Sequence, residues 1–266
     1  MQSDLSPIDK AKYLAAKRSV SFVDHGMRVG LGTGSTAAWM LHCLAERIKD
    51  EGLKITGVPT SKQTAERARD HGIPIISLDE ARWLDLTIDG ADEFDPDLCL
   101  IKGGGGALLH EKIVATASDQ MIVIADAAKE VKTLGGFPLP VEVIPFGWQT
   151  TRALIEEALI NIDVLGRHVK LRRKRDHVFR TDEGNIILDL ELKRIGNPRQ
   201  LSLILNQIPG VVENGLFIDI CDMAIVGHGD GRVEVRDISE GAFSEDREKA
   251  DEPEEENIFA DIPEPD

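Results

Sequence analysis

The stretch MRVGLGTGST, residues 27–36, decides how the chain is read. Three apolar positions run into a glycine-rich turn with hydroxyls. Ala37, Met40, Leu41, Leu44 and Ile48 then recur at helical spacing. This is a strand, a tight turn and the N-terminus of a helix. Backbone N–H groups and the helix dipole at such a turn favour an anion. Thr33, Ser35 and Thr36 add hydroxyls. The Gly-Lys-Ser/Thr ending of a P-loop is absent, and no acidic residue closes the next strand as in a dinucleotide fold. By itself the turn is either a phosphate cradle or a structural bend.

Working outward, the same alternation repeats. A helix is predicted over 7–23, with Ser6 as N-cap and Pro7 at its first position. Strands are predicted at 55–60, 73–77, 84–90 and 121–126, and helices at 61–70 and 107–117. Short apolar strands alternating with helices define an α/β domain with a mainly parallel sheet. After about residue 131 the order becomes α+β. VEVIPF (141–146) is strand-like, 148–160 and 197–207 are helical, and HVFRTDEGNIILDLEL reads as a hairpin turning at Asp182–Asn185. MAIVGHGDGRVEV then returns the chain to the first sheet. The expected division is a Rossmann-like domain of 1–131 plus 206–241, a smaller α+β domain of 132–205, and an acidic, disordered tail of 242–266.

That tail carries eleven acids and two bases, hence −9 of the net −16. The body is also acidic, which argues against nucleic acid as a partner. No apolar run approaches the ~18 residues of a membrane span, and the polar N-terminus lacks the pattern of a secretory signal. Cys43, Cys99 and Cys221 are far apart and odd in number, a pattern of buried thiols in a reducing cytoplasm. The basic run RHVKLRRKRDH (167–177) reads as a solvated or edge-protecting strand, with an anionic ligand or subunit contact as the alternative.

Two further stretches carry chemistry. TIDGADEFD (87–95) ends a strand in Asp89 and follows with Asp92 and Glu93. Open α/β sheets place ligands at strand C-termini. Carboxylates there bind a metal, accept sugar hydroxyls, move protons or simply make an Asp-Gly turn. KGGGGALLHEK (102–112) sets four glycines between a cation and a helix carrying Glu111. Four glycines in a row cost conformational entropy, which makes sense where backbone amides must approach a ligand. Lys102 and those amides can stabilise an oxyanion, and Glu111 can shuttle a proton. His110 points about 100° away from Glu111 on a helix and reads as a flank.

In this order and spacing, GTGST, DGADE, KGGGGALLHEK and IADAAKEVKTLGGFPLPVEVIP resemble the type A ribose-5-phosphate isomerases, over about residues 8–235. RTDEGNIILD and IPGVVENGLF match as well. The resemblance implies an aldose–ketose isomerase interconverting ribose 5-phosphate and ribulose 5-phosphate through an enediolate, with no cofactor and no metal. It implies homo-oligomers, commonly a homodimer, and a small-molecule sugar phosphate as substrate, and the cysteine pattern adds a cytoplasmic location. Carried over by position, Thr33, Gly34, Ser35 and Thr36 contact the phosphate side, with Lys12 as a further contact. Asp89, Gly90, Ala91 and Asp92 hold sugar hydroxyls, Asp89 and Asp92 being the active carboxylates. Lys102, Gly103, Gly104 and Gly105 contact the reacting end, Glu111 is the proton acceptor, and Lys129 binds substrate. Gly106 departs from the alanine many members carry there. A non-catalytic sugar-phosphate sensor, an amino-sugar phosphate deaminase and a CoA transferase are the alternatives.

Overall fold

The computed structural model describes residues 5–238 and the backbone of residues 242–247. The chain divides into two compact units. The first comprises Met1–Gly90, Ala117–Ala127 and Asp222–Asp266, and the second Ala91–Thr116 and Ala128–Cys221. The second unit is thus larger than the 132–205 expected, and it takes in the glycine stretch and Glu111.

In the first unit, the described residues form a seven-stranded sheet in the order Ala242–Arg247, Arg232–Asp237, Met223–Gly227, Met121–Asp126, Leu86–Gly90, Arg28–Leu31, Thr56–Pro59. The last five are mutually parallel, and the first two add antiparallel pairs. Chain order reverses beside Arg28–Leu31, whose neighbours are the next strand on one side and Leu86–Gly90 on the other. Ligands of open α/β sheets bind at such a switch point, outside the strand C-termini. The strand Met121–Asp126 is buried at every position, as expected of a parallel strand covered on both faces. Helices Pro7–Val20 and Ser35–Asp50 contribute Leu14, Trp39, Met40 and Leu44 to the core. Tyr13 meets Trp39 edge-on at 5.5 Å. Ser6 caps the first helix by accepting from the Asp9 N–H, with Pro7 inside the first turn.

The second unit holds a four-stranded antiparallel sheet in the order Val211–Asn214, Leu139–Val143, Ile186–Glu191, His168–Leu171. Smaller ribbons join Leu216–Phe217, Leu100–Ile101 and Glu93–Phe94, and His177–Val178 with Arg173–Lys174. Helices Leu108–Thr116, Trp148–Ala158 and Pro198–Asn206 belong to this unit. Asn197 caps the last of these through the Gln200 N–H.

Three expectations change. Residues 73–77 make no strand but a single parallel bridge, Ile75 with Gly57. Pro74 offers only its carbonyl, which accepts from the Gly57 N–H at 2.8 Å. The expected turn at 182–185 is present, closed by bonds from the Thr181 N–H to the Asn185 carbonyl and from the Gly184 N–H to the Thr181 carbonyl, but beyond it the two arms form no ladder with each other. His177–Val178 folds back on Arg173–Lys174, while Ile186–Glu191 is a central strand with partners on both edges. Its alternating apolar residues fill the core, so no edge is left for the other arm. Finally, residues 242–247 of the expected disordered tail form an edge strand, because Arg232–Asp237 presents its unpaired backbone edge to them. The remainder of that tail lies outside the described residues.

Among the described residues no helix is long and apolar enough to cross a membrane. All three cysteines are free thiols. Burial pushes the Cys99 thiol up to about 11.

Candidate active site

In the first unit the glycine turn closes onto Asp89. The Thr33 and Gly90 N–H groups both donate to Asp89 Oδ1, at 3.0 and 2.7 Å. Asp89 is fully buried at the end of its strand. The helix Ser35–Asp50 begins directly after, with Gly34 as N-cap at φ 109°. From the first helix Lys12 Nζ donates to Ser35 Oγ at 3.0 Å. An ammonium, a hydroxyl and the positive end of a four-turn helix therefore share one place, the physical composition of an anion site.

Thr33 was expected on the phosphate side, with its hydroxyl as a donor. Its hydroxyl lies among those of Thr60, Ser61 and Thr64, at 2.7, 2.9 and 3.0 Å. Thr60 and Thr64 in turn donate to the carbonyls of Leu31 and Gly32. This hydroxyl cluster ties the turn to the following strand and helix, so both the hydroxyl and the N–H of Thr33 already have partners within the protein. The signal was present in the sequence as PTSKQT (59–64), a run of hydroxyl residues at the next strand end.

In the second unit Lys102 and Glu111 form a buried pair. Nζ lies 3.4 Å from Oε1, with side chains 2% and 5% exposed. Lys102 follows the strand Leu100–Ile101 and its N–H donates to the Gly215 carbonyl. Its ammonium stands 5.5 Å from the ring of Phe217, which is fully buried. Glu111 sits in the first turn of Leu108–Thr116, its N–H donating to the Ala107 carbonyl. Lys112, next to it, turns away to Glu213 and the Asn214 carbonyl, at 2.9 and 2.6 Å. His110 bonds Glu183 at 2.9 Å, so it is the flank expected.

The glycine stretch links this pair to Asp92. The Gly106 N–H donates to the Gly103 carbonyl at 3.0 Å and closes a turn. The Gly104 N–H donates to Asp92 Oδ2 at 2.7 Å. A Cβ on Gly104 would stand 2.6 Å from Asp92 Oδ1, and one on Gly106 2.4 Å from the ring of Phe179. Gly106 also has φ +85°, a region costly for an L side chain. The fourth glycine is thus required by this chain's own packing. Gly104 and Gly105 are exposed while Lys102, Gly103 and Gly106 are buried, which leaves backbone, not side chain, at the surface of the loop. Burial pushes the Asp92 carboxyl above the usual carboxylate range. The Gly104 N–H and the charges of Lys102, Lys129 and Arg172 pull it back. Lys129, from the short helix Ala127–Lys129, is therefore within electrostatic reach of Asp92.

Glu93, adjacent to these carboxylates in sequence, is buried and accepts from the Gly135 and Phe137 N–H groups, at 2.7 and 2.5 Å. Both oxygens are engaged in holding a loop. Among the described residues no group of three or more His, Cys, Asp or Glu is placed to hold a metal ion.

Each unit thus carries its own polar feature on an α/β frame: a helix N-terminus with Lys12 and Ser35 in the first, a buried cation–carboxylate pair beside a glycine loop in the second. The comparisons with known proteins make this particular. The family model of ribose 5-phosphate isomerase A (phosphoriboisomerase A) matches residues 56–231. A ribose-5-phosphate isomerase A of Ruegeria sp. (strain TM1040) is 70% identical over 262 residues, 98% of this chain and 99% of its own. A solved D-ribose-5-phosphate isomerase in complex with phospho-erythronic acid is 42% identical, with TM-score 0.80, over 86% of this chain and 99% of that one. The ribose 5-phosphate isomerase of Plasmodium falciparum is 34% identical, with TM-score 0.81, over 86% and 99%. The chain belongs to the ribose 5-phosphate isomerase A family. Its activity is the isomerisation of ribose 5-phosphate, a step of pentose phosphate metabolism, and the sensor, deaminase and transferase alternatives are set aside.

Proposed function

We propose that Glu111 carries the proton between C2 and C1 of the open-chain sugar phosphate, and that Lys102 stabilises the enediolate formed on the way. The buried Lys102–Glu111 pair carries this reading. Aldose–ketose interconversion needs one proton taken from one carbon and returned to its neighbour, so a single carboxylate suffices. Charge develops on the carbonyl oxygen as the C–H bond breaks. Lys102, itself buried, and the amides of Gly103 and Gly105 are the donors assigned to it, while the Gly104 amide holds Asp92. Asp89 and Asp92 orient hydroxyls and serve ring opening. The raised, cation-tempered carboxyl of Asp92 suits proton exchange with a ring oxygen. Lys129 adds positive potential to that carboxylate's surroundings.

The phosphate is assigned to the amides of Gly34, Ser35 and Thr36, with Lys12 as counter-charge. Binding energy from this non-reacting end is available for orientation at the carbons. The relative solved with phospho-erythronic acid supports a phosphorylated polyhydroxy acid as a ligand of this chain too. Lys12→Ala is expected to raise KM for ribose 5-phosphate about 10-fold or more, the worth of one charged hydrogen bond, with kcat within about 3-fold. A KM equal to the parent's removes Lys12 from the phosphate site.

We also infer a homodimer in the cytoplasm. The family resemblance supports the dimer, and three free thiols support the compartment. The expected observation is activity in the cytosolic cell fraction, sedimenting at twice the chain's mass. A monomer mass, or activity confined to another fraction, counts against it.

A further inference from the structure

The basic strand conceals one arginine that does not behave as its neighbours do. Arg173, Lys174 and Arg175 are exposed. Arg172, just beyond the edge strand His168–Leu171, is turned inward and its side chain is 13% exposed. Its Nε and Nη2 grip both oxygens of Asp189, at 2.9 and 2.5 Å. Asp189 stands on the central strand Ile186–Glu191, so the fork has a rigid base. The remaining nitrogen, Nη1, donates to two carbonyls at once: Gly103 at 2.8 Å and Gly104 at 3.0 Å. The backbone of Arg172 is fixed as well, by bonds to Ile187 and Phe179.

The consequence follows from peptide geometry. A trans peptide is planar, with its C=O and N–H pointing in opposite directions, and no cis bond occurs among the described residues. Holding the Gly103 carbonyl therefore directs the Gly104 N–H, which is the one found on Asp92 at 2.7 Å. By the same geometry, holding the Gly104 carbonyl turns the Gly105 N–H away from the guanidinium. Consecutive glycines can reverse a peptide at little steric cost. A reversed Gly104–Gly105 unit would present a carbonyl oxygen where an amide donor is needed.

We propose that Arg172 is a positioning residue for the reaction: anchored on Asp189, it clamps the Gly103 and Gly104 carbonyls and so sets the direction in which the Gly104 and Gly105 amides point. This deepens the reading given above, since it rests on the glycine loop serving the reacting end of the sugar. Lysine cannot replace it, because one ammonium cannot span the Asp189 carboxylate and two carbonyls in a fixed plane.

The test uses the full chain with ribose 5-phosphate, comparing Arg172→Ala, Arg172→Lys and Asp189→Asn with the parent and with Glu111→Gln. Misdirected amides act on the transition state, so Arg172→Ala is expected to lose ~10–100-fold in kcat with KM within about 3-fold. Free guanidinium ion, at concentrations that leave the parent unaffected, is expected to restore part of that kcat, and Arg172→Lys to remain impaired. Asp189→Asn, which keeps the arginine but loosens its base, is expected to lose ~3–10-fold and serves if the alanine variant does not fold. Parental kcat in folded Arg172→Ala or in Arg172→Lys overturns the clamp, as does a loss that guanidinium does not relieve. If Glu111→Gln retained parental activity, the underlying assignment of the proton carrier would fall instead, and the two failures are told apart.

Discussion

Glu111→Gln is expected to lower kcat on ribose 5-phosphate by at least ~100-fold, the low end of what a positioned general base contributes. The substitution keeps the volume of the side chain and removes its capacity to take a proton. Because Glu111 is buried in the first turn of its helix, behind the glycine loop, no solvent carboxylate replaces it. KM is expected to stay within about 3-fold, since a group that acts only on the reacting hydrogen contributes little to ground-state binding. Steady-state kinetics on purified variant and parent check both numbers. Parental kcat would remove Glu111 from its role and direct attention to Asp89 and Asp92.

Lys102→Met has two expected effects, and their separation is informative. The first is a kcat loss of ~100–1000-fold, the scale set by removing one oriented donor from an oxyanion site. The second is thermodynamic. Lys102 and Glu111 lie 3.4 Å apart with almost no exposure. Removing the cation leaves a carboxylate buried beside an apolar side chain, and breaking such pairs costs about 3–5 kcal/mol. The double variant Lys102→Met with Glu111→Gln is expected to regain most of that stability in urea unfolding while remaining inactive. A double variant no more stable than Lys102→Met would show that the two side chains do not stabilise one another. The pair would then be a neighbourly arrangement without energetic coupling.

Much of this arrangement was readable in advance, for identifiable reasons. The parallel sheet announces itself through near-continuous apolar runs such as MIVIAD (121–126), whose bounds the structure reproduces. The chemistry-bearing stretches sit at strand ends because backbone donors and carboxylates gather there. Lys102 and Glu111 stood out because they flank four glycines, and the structure brings the two side chains within 3.4 Å of each other. What could not be read was everything that depends on tertiary partners. Local pattern made 177–192 a hairpin, whereas the buried face of Ile186–Glu191 placed it between Leu139–Val143 and His168–Leu171. Thr33 was expected to offer its hydroxyl outward, but Thr60, Ser61 and Thr64 come from a different strand and helix to meet it. Arg172 was hidden in a run of six basic residues within nine positions, where composition suggests a solvated face. Its role appears only once Asp189 and the glycine carbonyls are found on its three nitrogens. Unit boundaries were missed for the same cause, since Ala91–Thr116 is α/β in pattern yet packs with the α+β segment.

The most direct test of a single carboxylate moving one proton is the fate of deuterium at C2. Ribose 5-phosphate labelled there is incubated in ordinary water with the parent and with Glu111→Gln at saturating substrate, and both carbons are followed by NMR. The account predicts that the parent delivers part of the label to C1 of the ketose and loses the rest to solvent, and that in Glu111→Gln the label stays on C2. Label leaving C2 at the parental rate in the variant would contradict it.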